Sequence, residues 1–195
     1  LLGKFNAYNL ISVISICKLL GFDMQKVKEI LKNIEPPRGR FDHFLSDTGV
    51  LCVVDYAHTP DALQKIISAI LEIKDSNSRL ISVFGCGGDR DPLKRRIMGK
   101  IGTQLSDIAI LTSDNPRNED PEKIINEMNT DLSMSDISKT ENITDRRKAI
   151  QRAVSLAKKG DIILCAGKGH ETYQEIKGVK QHFNDLEELK KAFIS

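Results

Sequence analysis

Apolar positions along the chain follow two rhythms. From Ala7 to Leu20, side chains at Leu10, Ile11, Ile14, Ile16, Leu19 and Leu20 recur at helical spacing, which predicts a buried helix stopped by Gly21. A second helix is expected from Asp23 to Ile34, with Asp23 as its N-cap and Val27, Ile30, Leu31 and Ile34 on one face. Pro36-Pro37-Arg38-Gly39-Arg40 then breaks the pattern and marks a domain boundary. Beyond it, short apolar runs alternate with helical segments. Strands are expected at Phe41–Leu45, Val50–Tyr56, Leu80–Phe84, Ile108–Thr112 and Asp161–Ala166. Helices are expected at Pro60–Ile73, 92–105, from about Pro121, and at Asp145–Lys158. Tyr173–Phe183 has the form of a hairpin turning at Lys177-Gly178, and Leu186–Phe193 that of a closing helix. This alternation implies an α/β fold, a Rossmann-like and mainly parallel sheet with helices on both faces.

In open parallel sheets ligands bind beyond the carboxyl ends of the strands. Four of those ends are rich in chemistry: Asp55-Tyr56-Ala57-His58-Thr59-Pro60-Asp61, Gly85-Cys86-Gly87-Gly88-Asp89-Arg90-Asp91, Ser113-Asp114-Asn115-Pro116-Arg117 and Gly167-Lys168-Gly169-His170-Glu171. Any one of them is explained equally well as a turn or helix cap, since Gly, Asp, Asn and Pro are ordinary turn residues. Four ionisable strand ends converging on one edge shift the balance toward a binding site.

Composition narrows the options. The 195 residues carry 29 Lys+Arg against 27 Asp+Glu, a formal charge of +2, so nothing suggests a nucleic-acid partner. The Leu10–Leu20 run is interrupted by Ser12, Ser15 and Lys18, short of the roughly 18–20 apolar residues of a membrane span, and no signal-peptide pattern is present. Cysteines at 17, 52, 86 and 165 have no Cys-x-x-Cys spacing, which favours reduced thiols in a cytoplasmic protein over disulfides or zinc. No two histidines have metal-ligand spacing, and no protein-built metal site is expected.

Two familiar phosphate motifs fail. Gly85 and Gly87 fit a dinucleotide fingerprint, but Arg90 stands where its third glycine belongs. Gly-Lys occurs at 3–4, 99–100 and 167–168 but is never followed by Ser or Thr, so the chain has no P-loop. Lys94, Arg95 and Arg96 read as a solvated first helical turn, although cations there oppose the helix dipole and mildly favour a bound anion. Arg117 offers a planar fork for a carboxylate and Asn115 an amide, a pair suited to a zwitterion such as an amino acid. The alternative is an Asx-turn beside a solvent-exposed Arg, and Glu171 either binds an ammonium or caps a turn. His58 is a candidate base or donor to phosphate or ribose, whereas His43 and His182 read as structural.

Taken together these motifs resemble the Mur ligases, ATP-dependent amino-acid ligases of peptidoglycan precursor synthesis. Phe5-Asn6-Ala7-Tyr8-Asn9 and the helices after it resemble the tail of that family's central ATPase domain, Gly39-Arg40-Phe41-Asp42 its interdomain element, and Val54–Asp61 its nucleotide-contacting strand end. The resemblance divides the chain into residues 1–38, helices of the central domain, and 39–195, the amino-acid-binding domain. Asp114-Asn115-Pro116-Arg117 is the form that goes with meso-diaminopimelate. It implies that Arg90, Asn115, Arg117, Gly167 and Glu171 bind that amino acid, and that Asn9, Arg40, Asp55 and His58 serve the nucleotide, with Asn6 a further candidate.

The implied substrates are ATP, Mg2+, meso-diaminopimelate and UDP-MurNAc-L-Ala-D-Glu, with no membrane partner. ATP would phosphorylate the D-glutamate side-chain carboxylate, and the diaminopimelate amine would attack the acyl phosphate. The chain begins Leu1-Leu2-Gly3-Lys4, so the UDP site, the P-loop and most of the magnesium site are expected upstream, and these residues alone are expected to be inactive. A folylpolyglutamate synthetase-like ligase and a non-catalytic Rossmann-like anion-binding module are the competing readings.

Overall fold

The computed structural model describes residues 4–34 and 37–194; Gly3 of the first Gly-Lys pair and Pro36 of the proline break lie outside them. The chain divides into two compact units, Leu1–Pro37 and Arg38–Ser195.

The first unit contains α1 (Lys4–Leu19) and α2 (Met24–Lys32). Asp23 caps α2 by accepting the Gln25 backbone N–H at 2.9 Å. The expected burial of α1 is not found: Ile11 is 59% and Leu19 86% exposed. Its apolar residues recur on several sides, and α2, nine residues long, offers too little surface to cover them.

The second unit is built on a six-stranded sheet of β1 (Asp42–Leu45), β2 (Leu51–Asp55), β3 (Leu80–Phe84), β4 (Ile108–Leu111), β5 (Thr140–Asn142) and β6 (Ile162–Ala166). Their order is β1-β2-β6-β3-β4-β5, and all neighbours are parallel except β1 and β2. The β1–β2 loop is too short for a crossover, so that pair must be an antiparallel hairpin. Phe41, expected in the first strand, instead precedes it with φ of 51°. The sequence pattern also missed α6 (Met134–Ile137) and β5, which are too short to show a period.

Helices cover both faces, as the alternating rhythm implies. The connecting helices are α3 (Pro60–Leu71), α4 (Leu93–Gln104), α5 (Pro121–Asn129) and α7 (Arg146–Leu156), followed by a β7–β8 hairpin (Tyr173–Ile176, Val179–His182) and α8 (Asp185–Ala192). Ile81, Val83, Ile163 and Cys165 pack with Ala149, Ile150 and Ala153 of α7 and Leu189 of α8. The alternate residue Phe84 faces the other way, where its ring fills the space a side chain at Gly102 of α4 would need. All four cysteines are free thiols, and burial pushes those of Cys52 and Cys86 up to about 12. Among the described residues no helix is long and apolar enough to cross a membrane.

Charge is also buried in this core. Arg146, at the start of α7, pairs with Asp185 of α8 through Nε at 2.8 Å and Nη2 at 2.7 Å, both side chains fully buried. The same guanidinium reaches the Ala166 carbonyl at the end of β6 (3.0 Å) and the Ser113 carbonyl after β4 (3.4 Å). Removing one member strands the other charge in the interior. Asp185→Asn is expected to cost about 3–5 kcal/mol of unfolding free energy in denaturant titrations, more than a well-packed Arg146→Met/Asp185→Leu double variant. A loss below about 1 kcal/mol would show that the pair does not anchor the fold.

Candidate functional site

The insertion of β6 between β2 and β3 sets the site. Because the neighbours β2, β6, β3 and β4 are parallel, the four rich loops emerge side by side at one edge. They line a cavity of about 340 Å³. Arg90, Asn115, Arg117, Gly167 and Glu171 all line it, as does His58, together with Tyr56, Lys94 and Arg95. Arg40 and Asp55 are not among the lining residues. Asn9 is an exposed residue of α1, in the first unit.

The loop after β4 is held from both sides. Asn115 is buried; its Nδ2 donates to Glu171 Oε2 at 2.8 Å, while its Oδ1 accepts from the Glu175 backbone N–H at 2.9 Å. Arg117 adopts the left-handed conformation, with φ of 50°. Backbone bonds to the hairpin hold it there, its N–H donating to Glu175 O and its carbonyl accepting from Lys177 N. Its Nη1 donates to the Gly88 carbonyl at 2.6 Å, and its Nε lies 4.0 Å from a Glu175 carboxylate oxygen. The alternative reading, an Asx-turn beside a solvent-exposed Arg, is not found; the guanidinium is braced against the glycine loop.

The basic run at 94–96 does not act as one solvated turn. Arg95 is 2% exposed and bonds to both Glu119 oxygens (2.7 and 2.8 Å) and to Glu127 (2.7 Å), so its charge is matched by carboxylates of this chain. Those bonds hold the Glu119 carboxyl at about 2, well below its ordinary 4.5. Lys94 and Arg90 are the exposed cations that line the cavity.

Sequence reasoning missed Lys168. Its side chain is fully buried, with Nζ 3.0 Å from Asn115 Oδ1, 3.2 Å from Glu171 Oε2 and 3.5 Å from Asp114 Oδ1. A lysine flanked by two glycines at the end of a strand was the available signal; the sequence pattern places it in that loop and excludes a P-loop without giving it a role of its own. Burial raises the Asp114 carboxyl above its ordinary range, outweighing the nearby Lys168 and Arg146 charges.

The nucleotide candidates divide. Asp55 is half-buried, and its carboxylate accepts the backbone N–H groups of Phe41 (2.8 Å) and Ala57 (2.9 Å). Burial raises this carboxyl despite those bonds and the Arg40 charge. His58 is exposed, with Nδ1 2.8 Å from the Tyr56 carbonyl. A carbonyl only accepts, so Nδ1 carries a proton in this contact and Nε2 is the nitrogen left for a ligand. Tyr56, which the sequence did not single out, lies with its ring centroid 4.6 Å from that of His58 and 4.9 Å from that of His170.

The cavity thus gathers the cations Arg90, Lys94 and Arg117 with the hydrogen-bonded Asn115 amide and Glu171 carboxylate. That arrangement suits a small molecule carrying both carboxylate and ammonium groups.

The chain is similar to known proteins. Residues 39–169 match the family model described as Mur ligase, glutamate ligase domain. A Parabacteroides distasonis protein named UDP-N-acetylmuramoyl-L-alanyl-D-glutamate–2,6-diaminopimelate ligase is 52% identical over 191 residues, 98% of this chain and 39% of that protein. Its Bacteroides thetaiotaomicron namesake is 51% identical over 192 residues, 98% of this chain and 40% of that protein. A solved structure of the same name superposes with a TM-score of 0.79 at 42% identity, over 100% of this chain and 39% of that one. A Mycobacterium tuberculosis folylpolyglutamate synthase shares the fold, with a TM-score of 0.65 at 19% identity, over 86% of this chain and 38% of that one. The chain spans about two fifths of the length of the curated relatives it matches.

The Arg95–Glu119 contact carries a pH signature. Glu119 has a depressed carboxyl, so its stabilising effect is complete above the ordinary value of 4.5 and is lost as pH falls toward about 2. Glu119→Gln should lower the melting temperature at neutral pH, and the gap to the parent should close progressively below pH 4.5. A gap independent of pH in thermal melts would remove the ion pair as its cause.

Proposed function

This chain belongs to the Mur ligase family, and from that footing we propose that its second unit is the amino-acid-binding domain of a ligase adding meso-diaminopimelate to UDP-MurNAc-L-Ala-D-Glu. The observation that carries the reading is the single cavity lined by Arg90, Asn115, Arg117 and Glu171, in which the Asn115 amide is bonded to the Glu171 carboxylate. Meso-diaminopimelate has two carboxylates and two amines. In this reading Arg117, Asn115 and Arg90 receive the carboxylate and Glu171 the ammonium of the end that does not react, with Gly167 lining the floor between them. The other amine is left uncharged and directed at an acyl phosphate, where orientation and exclusion of water supply most of the rate.

Lysine lacks the second carboxylate and would leave the guanidinium of Arg117 without its partner, a loss of about 1–3 kcal/mol or more in a desolvated site. The names of relatives about 50% identical support this assignment over a folylpolyglutamate synthetase, whose likeness is one of fold.

For ATP the same reading assigns Asn9, Arg40, Asp55 and His58, with residues 1–38 as the end of the central ATPase domain. His58 fits best, since the Tyr56 carbonyl occupies Nδ1 and leaves Nε2 for a ribose hydroxyl or a phosphate oxygen. Asp55 fits as a support, because its carboxylate fixes the Phe41 and Ala57 backbone beside Arg40. ATP when bound supplies the phosphoryl group that activates the acceptor carboxylate. Among the described residues no group of three or more His, Cys, Asp or Glu side chains gathers that could hold a metal ion. The small substrates and the absence of any need for a membrane or nucleic-acid surface are consistent with a cytoplasmic enzyme.

In the complete protein, Arg117→Ala is expected to raise KM for meso-diaminopimelate by about a hundredfold while KM for ATP stays within about twofold. Steady-state assays with each substrate varied in turn decide this. A comparable rise in both constants would take Arg117 out of the amino-acid site, and equal use of lysine and meso-diaminopimelate by the parent would overturn the specificity.

A further inference from the structure

We propose that Lys168 is a positioning residue of the amino-acid cavity, a buried cation that fixes which way the Asn115 amide points and where the Glu171 carboxylate stands. The inference rests on the reading of the cavity given above and adds a residue to it.

Lys168 lies between Gly167, with φ of 116°, and Gly169, with φ of 51°. These two left-handed conformations, available mainly to glycine, turn the chain sharply on either side of the lysine, whose side chain is fully buried. An ammonium has three donors and no acceptor, and here three acceptors surround it: Asn115 Oδ1 (3.0 Å), Glu171 Oε2 (3.2 Å) and Asp114 Oδ1 (3.5 Å). Burying a lysine is costly unless its charge and hydrogen bonds are met, and this trio meets both.

The consequence falls on Asn115. Its Oδ1 faces two donors, the Lys168 ammonium and the Glu175 backbone N–H. A flipped amide would set its NH2 against both, so the flip is excluded by like-with-like contact. Nδ2 is thereby committed to the Glu171 side, where it donates at 2.8 Å, and the amide offers N–H rather than a carbonyl toward a ligand carboxylate. Glu171 Oε2 accepts from both Lys168 and Asn115, while Oε1 makes no hydrogen bond among the described residues and stays available to an ammonium. The lysine also places a positive charge between Asp114 and Glu171, two carboxylates that would otherwise repel across the cavity floor.

The test uses the complete protein and two variants. Lys168→Met keeps the stem and deletes the charge. It should raise KM for meso-diaminopimelate about tenfold or more while KM for ATP stays within about twofold, a split that a merely structural loss would not produce. Lys168→Gln keeps a polar donor toward Asn115 Oδ1 but removes the charge. It should show the same selective rise to a smaller extent, which keeps the inference open to refutation if Lys168→Met fails to fold. A parental meso-diaminopimelate KM in either folded variant, or equal rises for both substrates, overturns the role of Lys168 alone. A parent that does not use meso-diaminopimelate overturns the reading of the cavity and this inference with it.

Discussion

The arrangement of the site depends on the guanidinium of Arg146. It is bound bidentately by Asp185, and it also collects the carbonyls of Ala166 and Ser113, where β6 and β4 end although β3 stands between them. Charge in a dry interior is expensive, and here a carboxylate and two backbone carbonyls share the guanidinium. The loops that begin one residue later, at Asp114 and Gly167, therefore start from fixed points. From those points Asn115 and Glu171 come within 2.8 Å of each other with Lys168 beneath them. The sheet alone brings the strand ends to one edge, and the buried ions bring the side chains together.

What was legible in the sequence follows the same division. Strands such as Leu80–Phe84 and Ile162–Ala166 are continuous apolar runs, because both faces are covered, and they end where the apolar run ends. The turn-forming strand ends stood out for the same reason, and five of the residues singled out there, with His58, do line one cavity. Strand order was not legible. That β6 returns to lie between β2 and β3 depends on which helix covers which face, information spread over the whole second unit.

Charge was the second thing the pattern hid. Arg95 and Arg146 occupy helical first turns and Lys168 a loop, positions where a cation is ordinarily solvated, and each proves to be buried by carboxylates distant in sequence: Glu119 and Glu127, Asp185, Asp114. A one-dimensional reading has no means of pairing residues 39 or 54 positions apart. The apolar helix α1 fails in the opposite sense. Its composition implies burial, but composition states a tendency to be covered and does not name the cover.

These buried pairs also explain why a site for a charged substrate can stay selective. On the reading proposed above, the exposed Arg90 and Lys94 are the cations suited to attracting a carboxylate at long range. Deeper in, the groups it meets are already committed: Arg117 is braced by Gly88 and a strained backbone, Asn115 by Lys168 and Glu175, and Glu171 by Asn115. Little rearrangement remains to be made when a molecule of the right shape arrives, so the ordering cost of binding is largely met in folding. For a molecule lacking one charged group the same rigidity works against binding, since a braced guanidinium or carboxylate cannot swing away to find water. Discrimination in such a site comes less from the groups that touch the ligand than from the partners that forbid those groups an alternative.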